Sequence, residues 1–344
     1  MAARWPAARR LSRRPLPHGK EGILLSQTTI AQPGREIAVR RTPRSRKIAL
    51  WCWLFVAPNL IFFAMFQGWP IIVNWYYSML DWSGISSDAK FIGLGNFKEL
   101  IADPYFWNAY KNSFLFMLGA VPLLLVLGLL AAVVLNNPLL KLAKMYRTLF
   151  FIPVVTTASV VGIIMVYIWG SEGAVNYALM KLNLLDQPVN WLGDPHWAMF
   201  TVILIYVWKN LGMNMIYWLA GLQSIPRELY EAAKVDGSTP AKTFVHITVP
   251  LIVPVGLVIT LLNVSGALKV FDMIKTMTDG GPFFATDVVS TYIYRFAFSS
   301  EIGLPRLGYA SAAGIFFAFT IVLIAVLQAV IRKMIGSAGR GRGA

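Results

Sequence analysis

The chain has 344 residues, of which 57% are hydrophobic and only 14% charged, with a mean hydropathy of +0.59 and a formal net charge of +15. About a quarter of residues are charged in an ordinary soluble domain, so this composition excludes that class and points to the bilayer. One cysteine, Cys52, excludes a disulfide framework, and His18, His196 and His246 lack metal-ligand spacing. No GxxxxGK[ST] phosphate loop, GxSxG or HExxH occurs, so no enzyme signature is found and ATP is not expected to bind here in that way.

Residues 1–47 hold twelve Lys or Arg against Glu21 and Glu36. With almost no aromatics, this stretch reads as a basic, mostly disordered tail drawn to anionic lipid headgroups, not as a nucleic-acid-binding arm. It is too long to lead a signal peptide. Apolar runs follow at 48–80, 112–140, 148–171, 197–222, 243–268 and 307–331, the fourth interrupted only by Lys209. Each exceeds the roughly 20 helical residues needed to cross about 30 Å of hydrocarbon. The expected fold is all-α: a polytopic membrane domain of six transmembrane helices over 48–335, with a short C-terminal tail at 336–344.

Charge sets the orientation. Lys141, Lys144 and Arg147 follow the second run, and Arg332, Lys333, Arg340 and Arg342 follow the last. The connections 81–107 and 172–194 carry more Asp and Glu than Lys and Arg. Basic residues stay in the cytoplasm, so both termini are expected there. Trp and Tyr residues between Trp69 and Trp82 suit the outer interface. Pro122 and Pro153 invite kinks. In the last run Ala310, Gly314 and Ala318 recur every four residues, a stripe that admits a second helix from this subunit or another.

Between the fourth and fifth runs lies EAAKVDGSTPAKTFVHITVP, starting at Glu231. Ser224 can cap a helix there, Pro226 fits its first turn, and Glu228 and Glu231 lie near the positive end of its dipole. Gly237 can end it in the left-handed conformation, and Pro240 keeps it from running into the fifth span. Ala232 and Ala233 leave a face open to close approach. The expectation is a short helix lying across the inner membrane surface.

Lys209 is the second candidate. A charge in mid-span is costly and faces a cavity or a polar partner. Asn210 and Asn214 accompany it, with Tyr217 one turn beyond, and Asn263 and Ser265 lie in the fifth run. Such side chains suit a neutral polyhydroxy substrate. A structural lysine near the outer end of a tilted span is the other reading. Across 269–306, Gly280-Gly281-Pro282 reads as a turn, and Thr286 or Asp287 can cap an amphipathic helix to about Phe298.

The segment at Glu231 resembles the EAA loop of ATP-binding-cassette importer permeases: Glu231, Ala232, Ala233, Gly237, Ile247 and Pro250 fit, and Val249 replaces a Leu. The likeness extends to Phe91, Gly93, Leu94, Asn96 and Phe97, to Asp103, Asn112 and Ser113, to 277–282, to Ala285, Thr286, Tyr294, Ala297 and Phe298, and to 308–312. It is closest to the carbohydrate (sugar, polyol or glycerol-phosphate) branch and covers about 48–335. The resemblance implies a permease in which the 224–237 segment is a cytoplasmic coupling helix, with Glu231, Ala232, Ala233, Asp236 and Gly237 at the contact. It implies a second homologous permease, two ATPase subunits that carry ATP and Mg, and an extracytoplasmic substrate-binding protein, with no cofactor on this chain, in a bacterial-type cell membrane. The 269–306 segment would then be an outer lid or docking surface. A secondary transporter, or a membrane scaffold that transports nothing, accounts for the spans but not for the EAA segment.

Overall fold

The computed structural model describes residues 43–137, 139–299 and 303–340, so the basic tail up to residue 42 and the last four residues lie outside the described residues. The chain divides into two compact units, Met1–Ile61 and Phe62–Ala344. Within the first, the described part is helical from Pro43, with Trp51, Trp53 and Phe55 exposed. The second holds the remaining helices and the site residues singled out above.

Among the described residues, six helical stretches are long and apolar enough to cross a membrane: Lys47–Ser78, Pro104–Leu135, Ala158–Lys181, Pro195–Gln223, Pro240–Leu268 and Leu307–Ile331. They match the six expected runs in order. The last belongs to a helix, Leu307–Arg340, that continues into the expected tail. The only strands among the described residues form a ribbon, Leu80–Asp81 antiparallel to Lys90–Phe91 with Leu80 opposite Phe91.

Caps explain where the ends differ from expectation. Asp103 Oδ1 accepts the Tyr105 N–H at 2.8 Å and Pro104 takes the first turn, so the second span starts eight residues early. Asp194 caps the fourth span in the same way, through the His196 N–H. Thr239 and Pro240 start the fifth, which passes through a π-turn, Phe244–Thr248, before Val249–Leu268.

The third run departs most: the expected 148–171 falls partly on a helix that ends before the membrane-length stretch Ala158–Lys181 begins. Ala143–Val155 and Ala158–Trp169 are separate helices joined by extended Thr156 and Thr157. Pro153 has no N–H to give the preceding turn, and the β-branched run Val154-Val155-Thr156-Thr157 resists helix. The kink expected at Pro153 is a break three residues later.

Spans 2, 4 and 5 form the centre, around buried Phe116, Leu124, Val202 and Met215. Close approach is set by glycine: a Cβ on Gly212 would lie 2.1 Å from the Phe150 carbonyl oxygen, so spans 3 and 4 touch backbone to side-chain-free backbone. Span 6 packs on Trp69–Ser78 and on the helix Val289–Phe298. Its small-residue stripe is used in part. Ala310 is buried, whereas Gly314 and Ala318 line an open groove of about 500 Å³ with Pro70, Asn74 and Trp75.

Candidate functional site

At one end of the bundle, Arg227–Val235 forms the short helix expected from the sequence. Its start differs. Ser224 closes the preceding span instead, its Oγ donating to the Gly221 carbonyl at 2.7 Å, and Pro226 lies just before the first turn. Its end is as expected: Gly237 has φ +71°, the Ser238 N–H reaches the Ala233 carbonyl at 2.9 Å and the Gly237 N–H reaches Lys234 at 3.2 Å. That paired capping locks the last turn. Only Ala233 is buried and Tyr230 half-buried; the other seven residues are exposed. The two alanines therefore part company, Ala232 outward and Ala233 into the bundle. Arg227, Glu228, Glu231, Lys234 and Asp236 all stay exposed, and among the described residues none is in an ion pair.

Lys209 lies midway along Pro195–Gln223 and is 9% exposed. Among the described residues no carboxylate comes within 4.0 Å of its ammonium. One turn on, Gly212 abuts the backbone of Phe150, shortly before the break in span 3. Asn210 and Asn214 donate to carbonyls four residues back, on Tyr206 and Asn210, at 2.8 and 3.1 Å. The Asn263 amide of span 5 donates to Asn214 Oδ1, and a Cβ on Gly128 of span 2 would lie 2.9 Å from Asn214 Cβ. Asn214 and Asn263 are thus brought together where three spans meet. Tyr217 and Ser265 are half-buried nearby along the same spans.

The opposite end holds a polar network that the sequence did not disclose. Arg295 donates to both carboxylate oxygens of Asp287, at 2.7 and 3.0 Å, and Thr291 Oγ1 adds a third bond at 2.7 Å. Burial pushes the Asp287 carboxyl up from its ordinary pKa, against the opposing pull of Arg295. Asn108 and Asn112 of span 2 donate to the Phe284 carbonyl, and Asn112 also to that of Asp287. Asp103 accepts from Tyr292 and Tyr309, and the Tyr292 hydroxyl is held well above its usual pKa by burial and by Asp103. The expected turn at 280–282 and the helix Val289–Phe298 are present, but Thr291 caps that helix by accepting the Val288 N–H, not Thr286 or Asp287. Asp279, Phe283 and Phe284 have φ of +51°, +49° and +61°. The anchors around Asp287 hold that costly backbone in place.

Residues 124–336 match the family model of the binding-protein-dependent transport system inner membrane component. The chain belongs to that family. The permease is 34% identical over 278 residues to the lactose transport system permease protein LacF of Rhizobium radiobacter, covering 80% of this chain and 92% of that one. It is 34% identical to the sulfoquinovosyl glycerol transport system permease protein SmoG of Agrobacterium fabrum, covering 81% and 89%. A solved bacterial ABC transporter involved in import of the acidic polysaccharide alginate contains a chain with a TM-score of 0.73 and 27% identity, over 85% of the permease and 98% of that chain. A solved bacterial alginate ABC transporter in complex with an alginate pentasaccharide-bound periplasmic protein contains a chain with a TM-score of 0.72 and 28% identity, over 84% of the permease and 96% of that chain. The resemblance read from the EAA segment is borne out, and the rival classes fall away. The permease is a multi-pass membrane protein.

The break at Thr156–Thr157 and the Asp287–Arg295 pair are the features that sequence reading missed. The first had a signal, four β-branched residues after a proline. The second had none, because pairing across eight residues depends on how a loop closes.

Proposed function

We propose that the permease imports a sugar or related polyol, driven by ATP that is hydrolysed with Mg on separate ATPase subunits docked on the Arg227–Val235 helix. The observation that carries this reading is that helix: rigidly capped, largely exposed and charged, with the EAA sequence at its centre. Glu231, Ala232, Asp236 and Gly237 would meet the ATPase, while Ala233 packs inward. The basic connections support a cytoplasmic position for that end and for both termini. A second permease would complete the pathway, and an extracytoplasmic binding protein would deliver substrate at the 269–306 end.

A sugar is favoured because the named transport substrates of the relatives above are carbohydrates, and because mid-bundle amides suit hydroxyl groups. Lys209 and Asn210, with Asn214, Tyr217, Asn263 and Ser265 around them, would line the route. Purification tests the proposal: ATPase subunits should co-purify with the intact chain and hydrolyse ATP, and should be lost from Gly237→Asp at unchanged expression. A Gly237→Asp complex that retains them would refute docking on this helix. Lys209→Met should abolish stimulation of that hydrolysis by substrate-loaded binding protein; full stimulation would remove Lys209 from the route.

A further inference from the structure

Of the nine residues of Arg227–Val235, only two face the bundle: Ala233, which has no reach, and Tyr230. Open clefts of about 590 and 670 Å³ flank Tyr230, so little else fills the space between helix and bundle there. Its hydroxyl meets Thr248 Oγ1 at 3.1 Å. Among the described residues, no other side chain of this helix is hydrogen-bonded or ion-paired to the rest of the chain.

Thr248 is 4% exposed and ends the π-turn Phe244–Thr248 at the start of span 5. A π-turn carries one residue too many for the α-ladder, and such turns are frequent at functional sites. From Val249 the span is α-helical to Leu268 and holds Asn263 against Asn214. The line from helix to mid-bundle therefore runs Tyr230, Thr248, span 5, Asn263.

We infer that Tyr230 is a positioning residue: a strut whose hydroxyl ties movement of the short helix to the π-turn of span 5, which acts as the hinge. The inference rests on the proposed docking of ATPase subunits on this helix. A displacement of the helix would otherwise be absorbed by the clefts beside Tyr230.

The test uses the complex purified with its ATPase subunits, in a Cys52→Ser background, with a bimane label at Val258→Cys, an exposed position on span 5. In Tyr230→Phe the ATPase subunits should stay bound and hydrolyse ATP at the parent rate. The ATP-driven ratio of shifted to unshifted label should fall about five-fold, the size expected from one lost neutral hydrogen bond. Thr248→Val should do the same, the double variant no worse than either, and Thr248→Ser should behave as the parent. A purely structural role would move stability or subunit retention, not this ratio. A Tyr230→Phe complex whose label responds like the parent overturns the strut, as does one that sheds its ATPase subunits. A parent complex without ATPase subunits, or whose label ignores ATP, refutes the proposed function and the strut with it.

Discussion

Replacing Arg295 by methionine keeps the volume of the side chain and removes both donors to Asp287. The Asp287 side chain is 1% exposed and would retain only its bond from Thr291. A buried carboxylate stripped of its partner costs about 3–5 kcal/mol. That penalty falls on the loop whose Phe284 and Asp287 carbonyls are held from span 2. Amide hydrogen exchange over 284–298 in Arg295→Met should therefore speed up about a hundredfold, the equivalent of roughly 3 kcal/mol. The pH dependence has a definite sign. Burial raises the Asp287 pKa in the folded chain, so its protonated form is favoured there and its contribution is fully present below the unfolded value of about 4. The contribution is lost as pH rises through the raised folded value. Without Arg295 the opposing pull vanishes and the folded pKa climbs further, so the exchange penalty should be small near pH 4 and grow towards pH 8. Equal exchange in parent and variant, or a penalty that does not vary with pH, would refute this account.

Three further outcomes are expected. Gly212→Ala places a carbon 2.1 Å from the Phe150 oxygen, forcing spans 3 and 4 apart; a loss of about 1–3 kcal/mol should lower the melting temperature of the purified chain, and an unchanged value would show that the contact is slack. Asn263→Leu leaves Asn214 Oδ1 without its donor at a buried junction, at a cost of about 1–3 kcal/mol by the same thermal assay, whereas a neutral result would mean the pair does not hold spans 4 and 5 together. Glu99 pairs with Arg306 where both are substantially exposed, so Glu99→Gln should cost less than about 1 kcal/mol. The hydrogen bond from Arg306 holds the Glu99 carboxyl below its ordinary pKa, so that small contribution is present above the unfolded value and fades as pH falls through the lowered one. A contribution that grew as pH fell through the carboxylate range would contradict the pairing.

Six spans were legible because a nearly charge-free run long enough to cross a bilayer depends on composition alone. The left-handed end of the short helix was legible for a related reason: Gly237 answers to its own backbone, not to distant neighbours. The misplaced caps involved competition. Ser224 had a free hydroxyl and two helices to serve, and the nearer carbonyl of Gly221 took it. Thr286 and Asp287 lost the cap of Val289–Phe298 to Thr291, because Asp287 is committed to Arg295 and Thr286 donates to the Gly281 carbonyl. Lys209, Asn210 and Asn214 were found in span 4 as expected, but that Asn263 would meet Asn214 depended on the register between two spans. No periodicity in either one encodes that register.

The interruption in the third span bears on how the polypeptide enters the bilayer. Ala143–Val155, thirteen residues long, does not reach across the hydrocarbon as a rod, since about 1.5 Å per residue gives only some 20 Å, so the crossing falls to Ala158–Lys181. The extended backbone at Thr156 and Thr157, where the Thr157 carbonyl is met by the Val161 N–H at 3.1 Å, is tolerable only where protein, not lipid, surrounds it. Span 4 supplies part of that cover, with Gly212 against Phe150, so the third crossing depends on a neighbour made after it.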